Sequence, residues 1–309
     1  MVSVGGLKGR NVARGKSKQK LMPVLVAALA LLTAGAWWLS QQNTTPVVAP
    51  ATLQAAAAAE VRTIRVATWN IKQFTDRPDL DLPVIAKIIT EARFDVLAIQ
   101  EVKKDGRAVD RLLATLGPPW RSGGISPMTG NNERFAIIYR GDRVQAVGSA
   151  SFIDLADESV FDRHPYTARF RANRFGFQLV VVHLSYTDTG RRRLETQTLA
   201  NCVMELAARQ SEKDIIVLGD FNEQRARPNL PLMEDVGWHT TVSEATNLSS
   251  KEIYDNILIE PKHTTQWQGS SIVRFDELYF ANDDRAASAA VSDHRPVYAE
   301  FKTDGPDND

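Results

Sequence analysis

Residues that bind metals or transfer protons stand at the ends of several apolar segments of this sequence. Strand ends converge on one rim of a sheet, and ligand sites gather at such rims, so we expect these residues to form a single site. The set contains carboxylates, amides and two histidines, but no cysteine and no glycine-rich phosphate loop. Its members are Asn70, Glu101, His183, Asp220, Asn222, Asp255, Asp293 and His294.

The composition of this set limits the chemistry that it can perform. Hard oxygen ligands suit Mg²⁺, Mn²⁺ or Ca²⁺ better than zinc. Two histidines beside carboxylates suit proton transfer near neutral pH. A hard metal ion combined with an acid–base pair is typical of a site that hydrolyses phosphoesters. Taken singly, each residue also has a structural explanation, such as a turn, a helix cap or a core histidine.

The elements that must position these residues alternate between strand-like and helix-like blocks from about residue 61 onward. Many strand candidates are apolar at successive positions, which predicts burial on both faces, under helices or a second sheet. The class is therefore α/β. Strands are predicted at 63–69, 94–100, 135–140, 177–184, 214–219, 254–259 and 296–301, and helices at 82–93, 106–116 and 192–210.

The N-terminal part of the chain differs from the body. Residues 1–20 contain basic residues but no acidic one, and 21–39 are uncharged. As a helix, 21–39 would span about 28 Å, close to the hydrocarbon thickness of a bilayer. This predicts a transmembrane signal anchor with a cytoplasmic N-terminus. Residues 40–60 are low in complexity and predict a linker, followed by a catalytic domain at 61–302 and a tail at 303–309.

The alternative to an anchor is a cleaved signal peptide, since "AGA" (34–36) resembles a cleavage site. The anchored form would hold the catalytic domain on the periplasmic or extracellular side of the membrane. The cleaved form would be secreted. In both cases the body leaves the cytoplasm.

The charge distribution bears on the partners of the body. The whole chain has 37 basic and 37 acidic residues, and the body beyond residue 20 has 31 basic and 37 acidic ones. An acidic body does not favour tight, non-specific DNA binding, so a metal or a local arginine cluster would have to hold a polyanion. The best candidates for gripping a duplex are Arg171, Arg174 and Arg191 to Arg193.

Six motifs, in order along the chain, resemble the endonuclease/exonuclease/phosphatase superfamily: "ATWNIKQF", "IQEV", "VVHLSY", "LGDFN", "YDNIL" and "SDHRPV". The resemblance covers about 62–302, and "LGDFN" with "SDHRPV" is its most specific combination. It implies a four-layer α/β sandwich, in which two packed mixed β-sheets are flanked by helices. It also implies a divalent metal, usually Mg²⁺, and in-line hydrolysis of a phosphoester.

The resemblance further implies how the metal and the substrate are held. Glu101 would hold the metal, with Asn70 and Asp293 nearby. Asp220 and Asn222 would place the nucleophilic water and the scissile phosphate.

The two histidines would flank that phosphate, one as general base and the other as general acid. The sequence leaves open which of them is the base. Asp255 would orient His294. In the branch that resembles deoxyribonuclease I, a glutamate followed by an arginine and an aromatic residue opens a strand and bonds the first catalytic histidine. The segment "ERF" (133–135) matches this pattern, so Glu133 would hold His183 and fix its tautomer.

The resemblance to this branch also implies which residues contact the substrate. Arg163, in "DRHP", stands where that branch has a DNA-contacting arginine before a proline. Arg134 of "ERF" and Asn222 complete the predicted substrate-binding residues. The sequence departs from the branch in two ways: its single cysteine, Cys202, permits no internal disulfide, and Asn256 stands where the branch has arginine.

The leading hypothesis is a Mg²⁺-dependent endonuclease that hydrolyses DNA outside the cytoplasm, with Mn²⁺ or Ca²⁺ as alternative ions. It would act as a monomer and contact the membrane through its N-terminal helix, and no protein partner is inferred. The alternative on the same fold is a phosphatase or a sphingomyelinase-like phospholipid phosphodiesterase, which an anchor would suit. A non-catalytic binding module would be indicated by a missing catalytic residue, and none is missing.

Overall fold

The computed structural model describes residues 62–307, except 156 and 225–227. The predicted basic segment, membrane anchor and linker, at 1–20, 21–39 and 40–60, lie outside the described residues. Among the helices of the described part, none combines the length and the apolarity needed to cross a membrane.

The first six-stranded sheet combines early strands of the described chain with its last two. These strands are β1 (Thr63–Phe74), β2 (Val96–Lys103), β3 (Trp120–Ile125), β4 (Glu133–Arg140), β11 (Trp267–Ile272) and β12 (Val297–Lys302). Their order is β11-β12-β1-β2-β4-β3. The central strands β1 and β2 run parallel, and the flanking pairs run antiparallel.

The second sheet has six strands in the described residues and repeats this plan. Its strands are β5 (Gln145–Phe152), β6 (Tyr166–Ala172), β7 (Phe175–His183), β8 (Ile215–Asp220), β9 (His239–Thr240) and β10 (Asp255–Ile259). Their order is β5-β6-β7-β8-β10-β9. Again the central pair, β7 and β8, is parallel and the flanking pairs are antiparallel.

The two sheets pack face to face, and helices cover their outer faces. Successive side chains of a strand point to opposite faces. In β1, Ile64 and Val66 therefore join the core between the sheets, whereas Ala67 and Trp69 pack under helices. The helices are α1 (Leu82–Glu91), α2 (Arg107–Leu116), α3 (Thr189–Arg209), α4 (Pro231–Glu234), α5 (Phe275–Phe280) and α6 (Asp284–Ala290). This architecture confirms the predicted pair of packed mixed sheets flanked by helices.

Most of the predicted elements occur in the structure. The seven predicted strands correspond to β1, β2, β4, β7, β8, β10 and β12, and the three predicted helices to α1, α2 and α3. Helix α3 begins before its predicted start at 192, because the Asp188 side chain accepts a hydrogen bond from the Arg191 N–H and caps the helix there. Strands β3, β5, β6, β9 and β11 and helices α4 to α6 were not predicted.

The topology brings the carboxyl ends of the four central strands to one rim of the sandwich. Asn70 and Glu101 lie near the ends of β1 and β2, while His183 and Asp220 end β7 and β8. The antiparallel neighbours add residues that lie near their own amino ends. Asp255 opens β10 opposite Asp220, for example. The predicted convergence of strand ends therefore follows from the way the two sheets are wound.

Candidate active site

A cleft of about 390 Å³ lies at this rim. Nine of the sequence-predicted site residues line it. They are Asn70, Glu101, Glu133, Arg163, His183, Asp220, Asn222, Asp293 and His294. Asp255 is fully buried and hydrogen-bonded to the His294 ring, so the structure places it next to the cleft wall.

An irregular end of β2 aims Glu101 into the cleft. Glu101 has φ of 59°, a left-handed conformation that is uncommon for a residue other than glycine. The pairing of β2 with β4 is interrupted between Ile99 and Val102, as in a β-bulge. Bulges next to active sites commonly re-aim a side chain. Here the Glu101 carboxylate accepts hydrogen bonds from the Gln73 N–H at 2.8 Å and from Asn70 Nδ2 at 3.1 Å.

Asn70 joins the two sheets at the centre of the cleft. Its Nδ2 donates to Glu101 of the first sheet and, at 2.9 Å, to Asp220 Oδ2 of the second. Since only the amide NH₂ can donate to two carboxylates, the orientation of the amide follows from these bonds. Its Oδ1 is buried and makes no hydrogen bond to the described residues. A buried oxygen without a partner, beside two carboxylates, fits a bound cation.

His183 and Glu133 form the first histidine–carboxylate pair. His183 Nδ1 lies 2.9 Å from Glu133 Oε2, and both residues are buried. Because Glu133 is the first residue of β4 and His183 the last of β7, the pair joins the two sheets. The ring nitrogen Nε2 lies 3.5 Å from Asp220 Oδ2.

Cationic and amide donors surround the carboxylate of this first pair. Lys103 Nζ and Asn131 Nδ2 contact Glu133 Oε1 at 2.9 and 2.8 Å, and Arg163 Nε lies 3.9 Å from Oε2. Burial acts to raise the pKa of Glu133. The hydrogen bond and charge of His183, followed by the charge of Arg163, outweigh burial and lower this pKa to about 2. Glu133 is therefore a carboxylate at every pH near neutrality.

His294 and Asp255 form the second pair. His294 Nδ1 lies 2.8 Å from Asp255 Oδ2, and both residues are buried. Burial acts to lower the pKa of His294. The carboxylates of Asp255 and Asp220, with a smaller effect of Asp293, outweigh burial and raise this pKa to about 10. The surroundings therefore favour the imidazolium form of His294.

Asp220 lies between the two pairs. Its Oδ2 is 3.5 Å from His183 Nε2 and 3.8 Å from His294 Nδ1. Ligand atoms of Asp220, Asp255 and His294 all lie within 4.8 Å of one another, and Asp255 Oδ1 is a second buried oxygen without a hydrogen-bond partner in the described chain. Only glycine fits at the preceding position, since a Cβ on Gly219, which has φ of 146°, would lie 2.0 Å from the Val182 carbonyl oxygen.

Asn222 is held beside Asp220 by a tight turn. Its backbone N–H donates to Asp220 Oδ1 at 2.8 Å, and its Nδ2 donates to the Leu184 carbonyl at 2.8 Å. Its φ of 49° is again left-handed. Asparagine tolerates this conformation better than most residues do, which explains why the turn can point the amide into the cleft.

The predicted arginine contacts are only partly in place. Arg163 lines the cleft, but its Nε and Nη2 donate to the His183 and Leu184 carbonyls at 2.7 and 2.6 Å. It therefore fixes the end of β7 as well as facing the cleft. Arg134 does not line the cleft, because its Nε and Nη1 bind the carbonyls of Lys104 and Ser126 at 2.8 Å.

The arginines that were predicted to bind a DNA duplex do not form a cluster at this rim. Arg192 is fully buried and donates to the Ser185 and Tyr186 carbonyls, and Arg191 pairs with Asp162 at 2.6 Å. Arg171 and Arg174 flank the turn that precedes β7, about 26 Å along the strand from His183. Of this set, Arg192 is therefore bound within the protein, whereas Arg171, Arg174 and Arg193 are exposed. Composition does not show which side of an element faces inward.

Sequence reasoning missed several residues that shape the cleft. Lys72 lines it and pairs with Asp293 at 3.0 Å, and Lys103 holds Glu133. Each lysine follows a predicted metal ligand by two residues along the same strand. In a regular strand this spacing places both side chains on the same face, and it could have indicated that the lysines lie near the site. Glu195, fully buried in α3, accepts the N–H groups of Asp162 and Ser185 at 2.8 and 2.6 Å. The other missed residues on the cleft wall are Gln73, Asn131, Tyr186, Asn247, Ser249, Ser250 and Tyr254.

Comparison with known proteins identifies a matching family and several relatives of this chain. The model of the Endonuclease/Exonuclease/phosphatase family matches residues 67–294. A protein named deoxyribonuclease from Thioalkalivibrio sp. (strain K90mix) is 32% identical over 79% of this chain and 73% of its own length. A deoxyribonuclease-1-like 1 protein from Cricetulus griseus is 23% identical over 77% of this chain and 83% of its own.

A solved structure shows the same fold at low sequence identity. The mannosyl-6-phosphatase of Bacteroides thetaiotaomicron VPI-5482 is 17% identical, with a TM-score of 0.57 over 76% of this chain and 98% of that chain. At this identity the likeness concerns the fold alone. The match of the family model and the 32% identical relative decide the family: the chain belongs to the endonuclease/exonuclease/phosphatase family, in its deoxyribonuclease I-like branch.

Proposed function

We propose that this protein is a divalent-metal-dependent endonuclease that hydrolyses the phosphodiester bonds of DNA. The observation that carries the proposal is the presence of two buried histidine–carboxylate pairs on either side of Asp220. In each pair Nδ1 is bound by a carboxylate, at 2.9 Å in His183–Glu133 and 2.8 Å in His294–Asp255. Each ring therefore has Nε2 available for the substrate, which suits one general base and one general acid.

The pair formed by "ERF" distinguishes this proposal from other activities of the fold. Glu133 bonds His183 as the deoxyribonuclease I-like resemblance implies, and the 32% identical relative carries the name deoxyribonuclease. The alternative activities, phosphatase and phospholipid phosphodiesterase, have no comparable observation in their favour.

The residues at the cleft fit a hard divalent cation. Asn70 Oδ1 is buried without a partner beside the Glu101 carboxylate, and Asp293 lines the same cleft. These three residues would hold the ion, and the oxygen donor set suits Mg²⁺, with Mn²⁺ and Ca²⁺ as alternatives. When bound, the ion polarises the phosphoryl oxygens and offsets the charge that develops on them.

The charges around each histidine suggest the direction of proton transfer. Carboxylates surround His294 and favour its imidazolium form, so we assign His294 Nε2 as the acid that protonates the leaving oxygen. His183 Nε2 is then the base that takes a proton from the attacking water, which Asp220 and Asn222 help to place. Water adds to phosphorus as the P–O bond to the leaving group breaks, which yields a phosphomonoester and a hydroxyl.

Location outside the cytoplasm is part of the proposal and rests on the sequence alone. The uncharged segment 21–39, preceded by a basic stretch, would either anchor the catalytic domain on the far side of a membrane or direct its secretion. Protease added to spheroplasts, which lack an outer-membrane barrier, should digest an anchored catalytic domain, whereas digestion only after lysis of the spheroplasts would contradict this location.

Supercoiled plasmid tests the proposed activity. The full-length chain in a mild detergent is mixed with plasmid and Mg²⁺, and parallel reactions contain Mn²⁺ or Ca²⁺. Nicking should require the metal, so EDTA should abolish it, and His183→Ala should lower its rate about 100-fold or more while the circular dichroism spectrum stays unchanged. Intact plasmid with a folded protein would contradict nuclease activity, and release of phosphate or headgroup from phosphomonoesters or sphingomyelin would favour the alternatives.

A further inference from the structure

A second cavity adjoins the catalytic cleft. It has a volume of about 680 Å³, larger than the 390 Å³ of the cleft itself. Four residues line both spaces, namely Lys72, Gln73, Ser249 and Asp293. Because the two spaces share these walls, a substrate with its scissile group in the cleft can continue into the second cavity. Helix α6 supplies Arg285 and Ser288 to its wall, and we call this space the Arg285 cavity.

The charged groups of the Arg285 cavity are mostly paired within the protein. Lys72 Nζ pairs with Asp293 at 3.0 Å, and Arg77 pairs with Asp79 at 2.8 Å. Asp284 pairs with Lys251 at 2.8 Å. The side chain of Arg285 is exposed and makes no hydrogen bond or ion pair with the described residues. Beside the catalytic cleft, the cavity wall therefore presents a guanidinium that has no ion-pair partner among the described residues.

We propose that the Arg285 cavity is a second phosphate subsite, in which Arg285 binds a backbone phosphate of the polynucleotide that occupies the cleft. This inference rests on the proposed nuclease function and adds to it a substrate requirement. A guanidinium binds phosphate through two parallel N–H groups, and an arginine without a carboxylate partner gives up no internal ion pair when it does so. The exposed apolar side chain of Ala289, on the same wall, suits the sugar of the intervening nucleotide.

The proposed subsite should contribute to the binding of long substrates but not to that of short ones. A polynucleotide reaches from the cleft to Arg285, whereas a minimal diester such as bis(p-nitrophenyl) phosphate fills only the cleft. Arg285 should consequently affect the KM for DNA and leave the KM for the minimal diester unchanged. A residue that only supported the fold would change both.

Equilibrium binding provides the first test. A fluorescent 12-base-pair duplex is titrated, in Mg²⁺ and at several salt concentrations, with full-length chain that carries His183→Ala to slow cleavage during the titration. Arg285→Gln is compared with Arg171→Gln, an exposed arginine on β6 remote from the cleft. Loss of one phosphate contact should weaken binding about three- to tenfold and reduce the slope of log K against log salt by about 0.9. Arg171→Gln should change neither quantity.

Steady-state kinetics with the otherwise wild-type chain provide the second test. Arg285→Gln should raise the KM for DNA about three- to tenfold and leave kcat unchanged. If Arg285→Gln and Arg171→Gln have the same affinity, salt slope and KM, the subsite does not exist. If the wild-type chain cleaves no DNA, the proposed function fails, and the binding titration still decides whether Arg285 holds a phosphate.

Discussion

The two histidine–carboxylate pairs have nearly the same hydrogen-bond length but opposite electrostatic surroundings. The Glu133 carboxylate of the first pair also contacts Lys103 at 2.9 Å and lies 3.9 Å from Arg163. The second pair, His294–Asp255, contacts no lysine or arginine in the described part of the chain. Its ring is surrounded by carboxylates instead.

This difference shows that the electrostatic surroundings of a histidine depend on charges beyond its immediate partner. The pKa of Glu133 is lowered to about 2, so the first pair has a permanent anion that nearby cations balance. The pKa of His294 is raised to about 10, so the second pair retains a proton. For the two carboxyl partners the shifts are opposite: the pKa of Glu133 is lowered, whereas burial, the largest cause, raises the pKa of Asp255. Substitutions within and around each pair test that contrast.

Removal of either ring should have the largest effect. His183→Ala and His294→Ala should each lower kcat for plasmid nicking by about 10²–10⁴-fold, the usual contribution of a positioned acid or base. Because the two rings act on the same transition state, the double variant should lose little more than the worse single variant. Losses that multiply in the double variant would mean that the rings act independently.

Replacement of the carboxylate partners should have the next largest effect and should be unequal. Asp255→Asn removes the buried anion that most favours imidazolium on His294, and the amide can impose the wrong tautomer. Glu133→Gln should lower kcat about 10–100-fold, as expected for a group that orients another, with little change in KM. Asp255→Asn should lower kcat more than Glu133→Gln does. Equal losses would contradict the electrostatic contrast between the pairs.

The free energy of unfolding at acidic pH should depend on the Glu133 carboxylate of the first pair. The folded-state pKa of Glu133 is about 2 against an ordinary value of 4.5. A depressed carboxyl pKa contributes stability that is complete above pH 4.5 and is lost as the pH falls towards 2. The contribution is of the order of 3 kcal/mol. Urea unfolding at about pH 6 and about pH 3 should therefore show that Glu133→Gln loses part of the wild type's pH dependence.

Removal of one cation from the first pair should have the smallest effect. Lys103→Gln should lower kcat about two- to fivefold, because Asn131 and Arg163 remain near Glu133 and the lysine is partly solvent-screened. Lys104→Gln is the matched control, since Lys104 is the next residue and is exposed. The same kcat in both variants would show that Lys103 has no part in balancing Glu133.

The strands at the centre of each sheet could be predicted, whereas those at the edges could not. Strands β1, β2, β7 and β8 are covered on both faces, so consecutive apolar residues mark them. The four edge strands, β3, β5, β9 and β11, were all missed. Strand β5 reads "QAVGSASF" and has no buried residue. Such a segment is a strand because of the neighbour with which it pairs, and its own composition carries little signal.

The position of polar residues at strand ends could also be predicted from the sequence, but the direction in which the arginine side chains point could not. Glu101, His183 and Asp220 follow apolar strands, and parallel strands bring such ends together. Arg192 faces inward on α3 and Arg134 is bound to two carbonyls. An arginine can contact the substrate only if it lies on the exposed side of its helix or strand. The presence of a charged residue in the sequence does not show which side of the element is exposed.

The types and order of the polar residues at the strand ends were enough to determine the family, the fold and the class of chemistry. Only the tertiary structure decided which charges face each histidine. Lys103 and Arg163 reach Glu133 from other segments of the chain, and Asp220 reaches the His294 ring from the opposite sheet. Electrostatic energy depends on distance through space and on burial. The different surroundings of the two histidines therefore depend on folded contacts between residues that are far apart in the chain.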